Sequence, residues 1–88
     1  MISRTEPGFW KDYRKLPRNI REAARAAYRQ FCADTAHPSL RFHRLVIDSR
    51  LWSVRVTDNY RAVGFVRGAT ITWFWIGDHK AFDRVFPR

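Results

Sequence analysis

The spacing of apolar residues changes once along the chain, from a helical period in the first half to strict alternation in the second. Pro7 and Gly8 precede a first helical stretch, and Pro17 ends it and can occupy the first turn of a second helix over residues 18–33. Residues 40–46 are predicted to be extended or to form a loop. The pattern therefore predicts a helical hairpin, whose apolar face on the second helix comprises Ile20, Ala24, Ala27, Tyr28 and Phe31.

From Leu51 onward, apolar and polar residues alternate, which is the period of a strand with one buried face. Residues 51–56, 60–67 and 70–76 are predicted to be three strands joined by tight turns, and residues 80–86 a short C-terminal helix. Consecutive hairpins make such a sheet antiparallel, and the helices should cover one of its faces and leave the other free. The predicted fold class is α+β, with a helical hairpin packed on one face of an antiparallel sheet, in a single domain over residues 1–88.

The first turn decides which face of the sheet Arg61 occupies. A three-residue loop over residues 57–59 would place Asn59 in the left-handed conformation that such loops need, and Arg55 opposite Arg61. A two-residue loop would instead bury Arg61 beside Val54, because a one-residue slip turns the whole strand over. We therefore predict the three-residue loop, with Arg55 and Arg61 on the face away from the helices.

The second turn, Gly68-Ala69, has glycine at its first central position, as a type II′ turn requires. This turn places Gly64 opposite Trp73 and Ala62 opposite Trp75, so that the smallest strand residues face the largest. The face away from the helices is then predicted to carry Ser53, Arg55, Arg61, Val63, Phe65, Arg67, Phe74 and Ile76.

The charge of the chain indicates a polyanionic partner. Lysine and arginine number 17 against 8 aspartate and glutamate, a formal net charge of +9, and only Lys11, Lys15 and Lys80 are not arginine. The planar guanidinium of arginine matches phosphate and stacks on bases, so this excess favours nucleic acid, and RNA above all. A solubilising surface and an acidic protein partner are the alternatives that the charge leaves open.

Other features bear on location and cofactors. No apolar run approaches the roughly 20 residues that cross a bilayer, and the polar first residues do not form a signal peptide, so no membrane association is expected. Cys32 is the only cysteine and cannot form an intrachain disulfide, and a cytoplasmic location is predicted. Histidine, cysteine and carboxylate residues lack the spacing of metal ligands, so neither a metal nor another cofactor is expected.

Arg55 and Arg61 form a candidate anion site, because like charges directly opposite on a sheet repel unless an anion lies between them. In the predicted register Ile76 lies opposite Arg61, so the chain leaves the sheet at that end and brings His79 within reach of the same anion. RNA cleavage without a metal needs stabilisation of the growing charge on the phosphate, which both arginines can provide. It also needs proton transfer, for which His79 is the best candidate and His43 a weaker one.

Four segments carry a family resemblance over nearly the whole chain: LPRNIREAARAAYRQF, HPSL, SVRVTDNYRAVGF and ITWFWIGDHKAFDRV. Together they resemble the RelE/ParE superfamily of type II toxin–antitoxin toxins, most specifically in the strand pair around Arg55 and Arg61 and in the ending before His79. The resemblance implies helices packed on a twisted antiparallel sheet and a cognate acidic antitoxin as partner. It also implies either cleavage of mRNA at the ribosome or poisoning of DNA gyrase.

The resemblance also implies roles for individual residues. Arg61 matches the central-strand arginine that RelE-type nucleases use on the scissile phosphate, and Arg55 a basic residue on the preceding strand. Ser53 matches a neighbouring basic position, here without charge, and His79 matches the C-terminal acid/base position. Phe82 stands where the family often has tyrosine, which removes a hydroxyl that could orient a base or move a proton. The predicted RNA contacts are Arg41, Arg44, Ser53, Arg67 and Phe82.

Three functions follow, in descending order. The first is a ribosome-dependent mRNA endonuclease, favoured by His79 beside the arginine pair. The second is a gyrase-directed inhibitor on the same fold, which needs no catalytic histidine. The third is a non-catalytic protein that binds an antitoxin or nucleic acid, which Phe82 and Ser53 leave open.

Overall fold

The computed structural model describes residues 1–88 and confirms the predicted α+β fold. Three helices pack on a five-stranded mixed sheet with the strand order β1-β5-β4-β3-β2. No helix is both long enough and apolar enough to span a membrane. The elements are β1 (Ile2–Thr5), α1 (Pro7–Arg14), α2 (Arg18–Ala33), a 3-10 helix (Pro38–Leu40), β2 (His43–Arg44), β3 (Leu51–Thr57), β4 (Tyr60–Arg67), β5 (Thr70–Asp78) and α3 (His79–Val85).

The three predicted strands pair antiparallel as expected, and two short strands extend the sheet: β2, within residues 40–46 that were predicted to be extended or a loop, and β1, which was not predicted. β2 pairs antiparallel with β3, and β1 pairs parallel with β5, with Ile2 opposite Thr70. β1 has only four residues, and Ile2 is 56% exposed, so no alternation between a buried and an exposed face marks it in the sequence. The side chain of Ser3 accepts a hydrogen bond from Nε1 of Trp73 at 2.9 Å and helps to hold this edge strand.

The helical hairpin forms as predicted, although the two helices rest on different strands. α1 packs mainly against β5 and α2 against β3. Near the connection, the hydroxyl of Tyr13 donates to the carbonyl of Arg21 at 3.3 Å and accepts from Nη1 of Arg25 at 2.7 Å. The main core between helices and sheet contains Leu16, Ile20, Phe31, Leu40, Val54, Val56, Ala62, Ile71, Trp73 and Ile76.

A β-bulge at Phe74 changes the predicted register of the last strand. Gly64 lies opposite Trp73 as predicted, but Val63 lies opposite Trp75, so β5 has one extra residue between these pairs. Because of this extra residue, the side chains of β5 after Phe74 point to the faces of the sheet opposite to those predicted. Trp75, predicted to face Ala62 in the core, therefore lies on the other face of the sheet.

Beyond the bulge, the other two predictions for this strand are also wrong. Ile76 is 3% exposed in the main core rather than on the open face. It pairs with Ala62, and Gly77 takes the predicted place of Ile76 opposite Arg61.

The face of the sheet away from α1 and α2 is partly covered, contrary to the prediction. Val63 is completely buried in a second cluster with Leu45 and Phe86, and Phe74 packs against this cluster. The chain around β2 and the C-terminal segment from α3 onward supply this cover. The apolar patch predicted to remain open on this face is therefore largely part of a second small core.

The two predicted turns differ in outcome. Gly68 has a φ of 60°, and Ala69 does not have a positive φ, which agrees with the type II′ turn. In the first turn, Thr57 lies opposite Tyr60, so the extra residue is a bulge in β3 rather than part of a three-residue loop. Asn59 does not take the predicted left-handed conformation, and its N–H instead donates to Oγ1 of Thr57 at 3.2 Å.

Candidate functional site

Arg55 and Arg61 lie directly opposite each other on β3 and β4, as predicted, but their side chains turn to different partners. Arg55 donates to Oδ1 of Asp58 from Nε at 3.2 Å and from Nη2 at 2.8 Å, and from Nη1 to the carbonyl of Ser39 at 3.4 Å. The hydrogen bonds and charge of Arg55 lower the pKa of Asp58, and Arg41 adds to this effect. The carboxylate of Asp58 thus binds Arg55 at the place where an external anion was expected.

Arg61 contacts the sheet and helix α3 at the same time. Its Nη1 donates a hydrogen bond to Oγ of Ser53 at 3.3 Å, and its Cζ lies 5.6 Å from the centroid of the Phe82 ring. Partial burial lowers the pKa of the Arg61 guanidinium. The charges of Arg41, Arg55 and Arg88 lower this pKa further, whereas the carboxylate of Asp83 raises it. Since arginine stays protonated in proteins, Arg61 is a partly desolvated cation among other cations, which an anionic ligand would stabilise.

Ser53 does not reach the surface in this structure, so nothing here supports its predicted contact with RNA, which stays a prediction. Its side chain is 0% exposed, between His43 on β2 and Val63 on β4. The alternation that assigned Ser53 to this face was correct, but it could not reveal that other segments cover the face. In the structure, the hydroxyl of Ser53 lies beneath Arg61 and accepts its hydrogen bond.

His79 is the first residue of α3, and its backbone N–H donates to the carbonyl of Asn59 at 2.8 Å. Its imidazole stacks on Phe82 with a centroid distance of 6.1 Å and an interplanar angle of 20°. The side chain is half exposed, and Nε2 lies 3.8 Å from Oδ2 of Asp83. His79 and Arg61 therefore contact the same aromatic ring, and this ring brings two of the predicted catalytic residues to one place.

The ring of Phe82 lies between the candidate site and the second core. Besides Arg61 and His79, its ring contacts Trp75 at a centroid distance of 6.0 Å and Phe86 at 5.4 Å. These contacts leave the half-buried ring little free surface on which a base could stack. Phe82 therefore contacts the side chains of both Arg61 and His79, whereas its predicted contact with RNA stays a prediction.

The remaining predicted RNA contacts are not all in one place. Arg41 lies near enough to Arg61 to lower its pKa, and it adopts a left-handed conformation with a φ of 44°. Arg44 lies over Trp52, 5.3 Å from the ring centroid, on the side of the sheet that carries the main core. Arg67 is exposed at the far end of β4, roughly 20 Å from Arg61 at the rise of a strand. Only Arg41 thus joins the cluster around Arg61.

Two members of the site were missed in the sequence analysis. Arg88 contributes charge near Arg61, and no turn or strand pattern connects the two residues in the sequence. Asp58 pairs with Arg55 three residues earlier, and this spacing across a turn is a signal that could have been used.

His43, the weaker acid/base candidate, is exposed on β2 opposite Ser53, and its Nδ1 lies 2.7 Å from the carbonyl of Arg41. No group of three or more histidine, cysteine or carboxylate side chains lies together as metal ligands would.

An apolar groove of about 590 Å³ lies on the opposite side of the sheet, between α1, α2 and β1. Two aromatic residues at its edges are partly exposed, Trp10 at 42% and Tyr28 at 46%. Every charged residue that lines it is cationic: Arg4, Arg25 and Arg29. The molecule therefore presents an apolar, positively charged groove behind the sheet and an arginine cluster in front of it.

The fold and the arginine cluster define a small basic α+β domain with several cations close together at one end of its sheet. The family model of the ParE-like toxin domain matches residues 18–84, and the chain belongs to this family. A comparison with curated protein sequences finds no match.

Solved structures of toxins share the fold. A chain of the RelB–RelE antitoxin–toxin complex from Methanococcus jannaschii superimposes with a TM-score of 0.76 at 20% identity, over 96% of this chain and 99% of that chain. The YoeB/ParE toxin from Agrobacterium tumefaciens gives a TM-score of 0.69 at 20% identity, over 90% and 99%. The isolated RelE toxin from E. coli gives 0.65 at 15% identity, over 96% and 97%.

Proposed function

We propose that this protein is the toxin of a toxin–antitoxin pair and that it cleaves mRNA on the ribosome without a metal ion. The observation that carries the proposal is the shared contact of Arg61 and His79 with Phe82. The ring of Phe82 thus brings together a cation suited to a phosphate and an imidazole that can act as a general acid or base.

Arg61 would stabilise the transition state. When the 2′-oxygen of a nucleotide attacks the neighbouring phosphorus, negative charge grows on the non-bridging oxygens. Arg61 carries no ion pair with a carboxylate, and it is partly desolvated, which strengthens its interaction with that charge. Arg55 would add to this effect after exchanging the carboxylate of Asp58 for the phosphate.

His79 would transfer protons. The attacking 2′-hydroxyl must lose a proton, the bond from phosphorus to the 5′-oxygen breaks, and the leaving oxygen must gain a proton. A half-exposed imidazole at the start of α3 can take part in either transfer, and His43 is the second candidate on this face. The products would be a 2′,3′-cyclic phosphate and a 5′-hydroxyl.

The groove behind the sheet supports an acidic antitoxin as partner. The apolar residues on the sheet face away from α1 and α2 are largely buried in the second core, whereas the groove offers apolar walls and only cationic charges at its edge. An amphipathic segment with acidic residues would match both properties. It would leave the arginine cluster on the other side of the sheet uncovered unless a second part of the antitoxin reached around.

The second candidate is a gyrase-directed inhibitor, and the match to the ParE-like family model favours it. One experiment separates the two. The protein is induced for a few minutes, and new 5′ ends in ribosome-bound mRNA and DNA covalently trapped on gyrase are both measured, with Arg61→Ala as the control. The nuclease proposal expects new mRNA ends that the control lacks, and gyrase–DNA complexes without such ends would reject it.

A further inference from the structure

Ser53 is the one polar side chain among the buried residues of this protein, and it lies directly beside the proposed site. A hydroxyl removed from water costs free energy unless it forms a hydrogen bond. The side-chain hydrogen bond that Ser53 forms is the one it accepts from Nη1 of Arg61 at 3.3 Å. The position of this hydroxyl is therefore tied to the orientation of the arginine.

The register explains why Arg61 turns toward Ser53. Its direct partner across the strands is Arg55, another cation, and like charges in that position repel. Ser53 lies opposite Val63, two residues along, and long side chains can reach such diagonal neighbours. Arg55 turns the other way, toward Asp58. The two guanidinium groups are thus held apart by separate acceptors.

The two acceptors differ in one respect that matters for anion binding. Asp58 is a carboxylate and neutralises part of the charge of Arg55, whereas the hydroxyl of Ser53 accepts a hydrogen bond without adding a negative charge. A hydroxyl can therefore fix the direction of Arg61 and leave its whole charge available to a ligand.

We propose that Ser53 is a positioning residue, whose buried hydroxyl holds the guanidinium of Arg61 over Phe82 and so directs its free N–H groups toward the phosphate. The second half of this inference rests on the proposed function of Arg61, while the first half concerns only the protein. The rival explanation is that Ser53 merely fills a small space in β3.

The first test measures the orientation of Arg61 without any substrate. Nitrogen-15 NMR of arginine side chains gives the rate at which each guanidinium rotates about its Cζ–Nε bond, and the spectrum of Arg61→Lys identifies the signal. Ser53→Ala should raise the rate for Arg61 about two- to tenfold, the range for one net hydrogen bond. Ser53→Thr keeps the hydroxyl and should restore the slow rate.

Two further variants keep this test decisive. Ser53→Cys fills nearly the same space with a weaker acceptor and should behave like Ser53→Ala, even if the extra methyl of threonine is not tolerated. Thr72→Ala removes a hydroxyl from β5 opposite Phe65, away from the site, and should leave Arg61 unchanged. Equal rotation rates in wild type, Ser53→Ala and Ser53→Cys would overturn the proposal.

The second test uses ribosome-bound mRNA. Ser53→Ala should reduce single-turnover cleavage about two- to tenfold in the wild type and should have no further effect in Arg61→Ala. An additional loss in the Arg61→Ala background would show that Ser53 acts through something other than Arg61. If wild type does not cleave mRNA although Ser53→Ala still frees the guanidinium, the nuclease proposal fails and the positioning role stands.

Discussion

Arg61 on β4 and Phe82 on α3 form the contact that connects the sheet with the C-terminal helix at the proposed site. The guanidinium carbon lies 5.6 Å from the ring centroid, and the imidazole of His79 stacks on the same ring. One aromatic side chain thus contacts both residues.

The first prediction concerns this ring. Phe82→Leu should reduce mRNA cleavage more than tenfold while the protein remains folded, because it removes the cation–π contact and the stacked support but keeps an apolar side chain. Phe82→Tyr keeps the ring, adds the hydroxyl that related toxins often have, and should cleave at least as fast as wild type. Single-turnover rates and thermal unfolding check both variants, and a fully active Phe82→Leu would show that the ring does not position the site.

The second prediction compares two arginines of the same strand and face. Arg61→Ala should reduce cleavage about 10²- to 10³-fold and abolish toxicity, whereas Arg67→Ala, at the far end of β4, should retain both. If Arg61 contacts a phosphate, its loss should also reduce the slope of log binding constant against log salt concentration by about 1. RNA binding at several salt concentrations measures this slope, and equal slopes in the two variants would remove Arg61 from the phosphate.

The third prediction separates the two exposed histidines. His79→Ala should lower the single-turnover rate about 10²- to 10⁴-fold, the usual effect of losing a general acid or base, with little change in RNA binding. His43→Ala, on β2, should have a smaller effect. The rate of the wild type should vary with pH, and this dependence should disappear in His79→Ala. A pH profile that survives the substitution would assign the proton transfer to another group.

The fourth prediction concerns the groove. Replacing both Arg25 and Arg29 by glutamate should slow association with an acidic antitoxin and weaken neutralisation, while cleavage is unaffected, because the groove lies behind the sheet. Arg18→Glu is the matched control on the same helix, since Arg18 is exposed and pairs with Glu22 outside the groove. Co-purification with the antitoxin and rescue of growth measure the effect. Unchanged neutralisation by the double variant would place the antitoxin elsewhere.

The fifth prediction concerns packing between the last two strands. A Cβ atom on Gly64 would lie 2.8 Å from Cγ1 of Ile71 and 3.0 Å from the carbonyl oxygen of Thr72, so Gly64→Ala should destabilise the protein by about 1–3 kcal/mol. Gly8→Ala is the control, because a Cβ added at this position of helix α1 would meet no atom within 4 Å outside its chain neighbours and the backbone of its own helix. Urea unfolding measures both free energies, and equal stabilities would mean that the strands can move apart at little cost.

The bounds of α2 and the pairing of Arg55 with Arg61 could be predicted because they depend on local signals, whereas α1 begins at Pro7, which was predicted to precede it. Pro17 separates the helices, and turn residues flank alternating strands. The bulge at Phe74 could not be predicted in this way, because both registers bury large aromatic residues on one side or the other. The bulge places Trp75 against the second core, which Leu45 and Phe86 form with Val63 although they are distant from β5 or from each other in the sequence.

The candidate site, like the fold, could be predicted only in part. Alternation assigned Ser53 and Arg61 to one face correctly, but exposure depends on what covers that face, and alternation carries no information about the cover. Arg88 reaches the arginine cluster through the path of the C-terminal segment, which follows from tertiary packing alone.

The parallel edge strand β1 has a consequence for how the protein is made. It pairs with β5, with Ile2 opposite Thr70, so nearly the whole chain must be synthesised before its first strand has a neighbour. Until then, the edge of β1 has no partner within the chain and would be available to other chains, as open strand edges are.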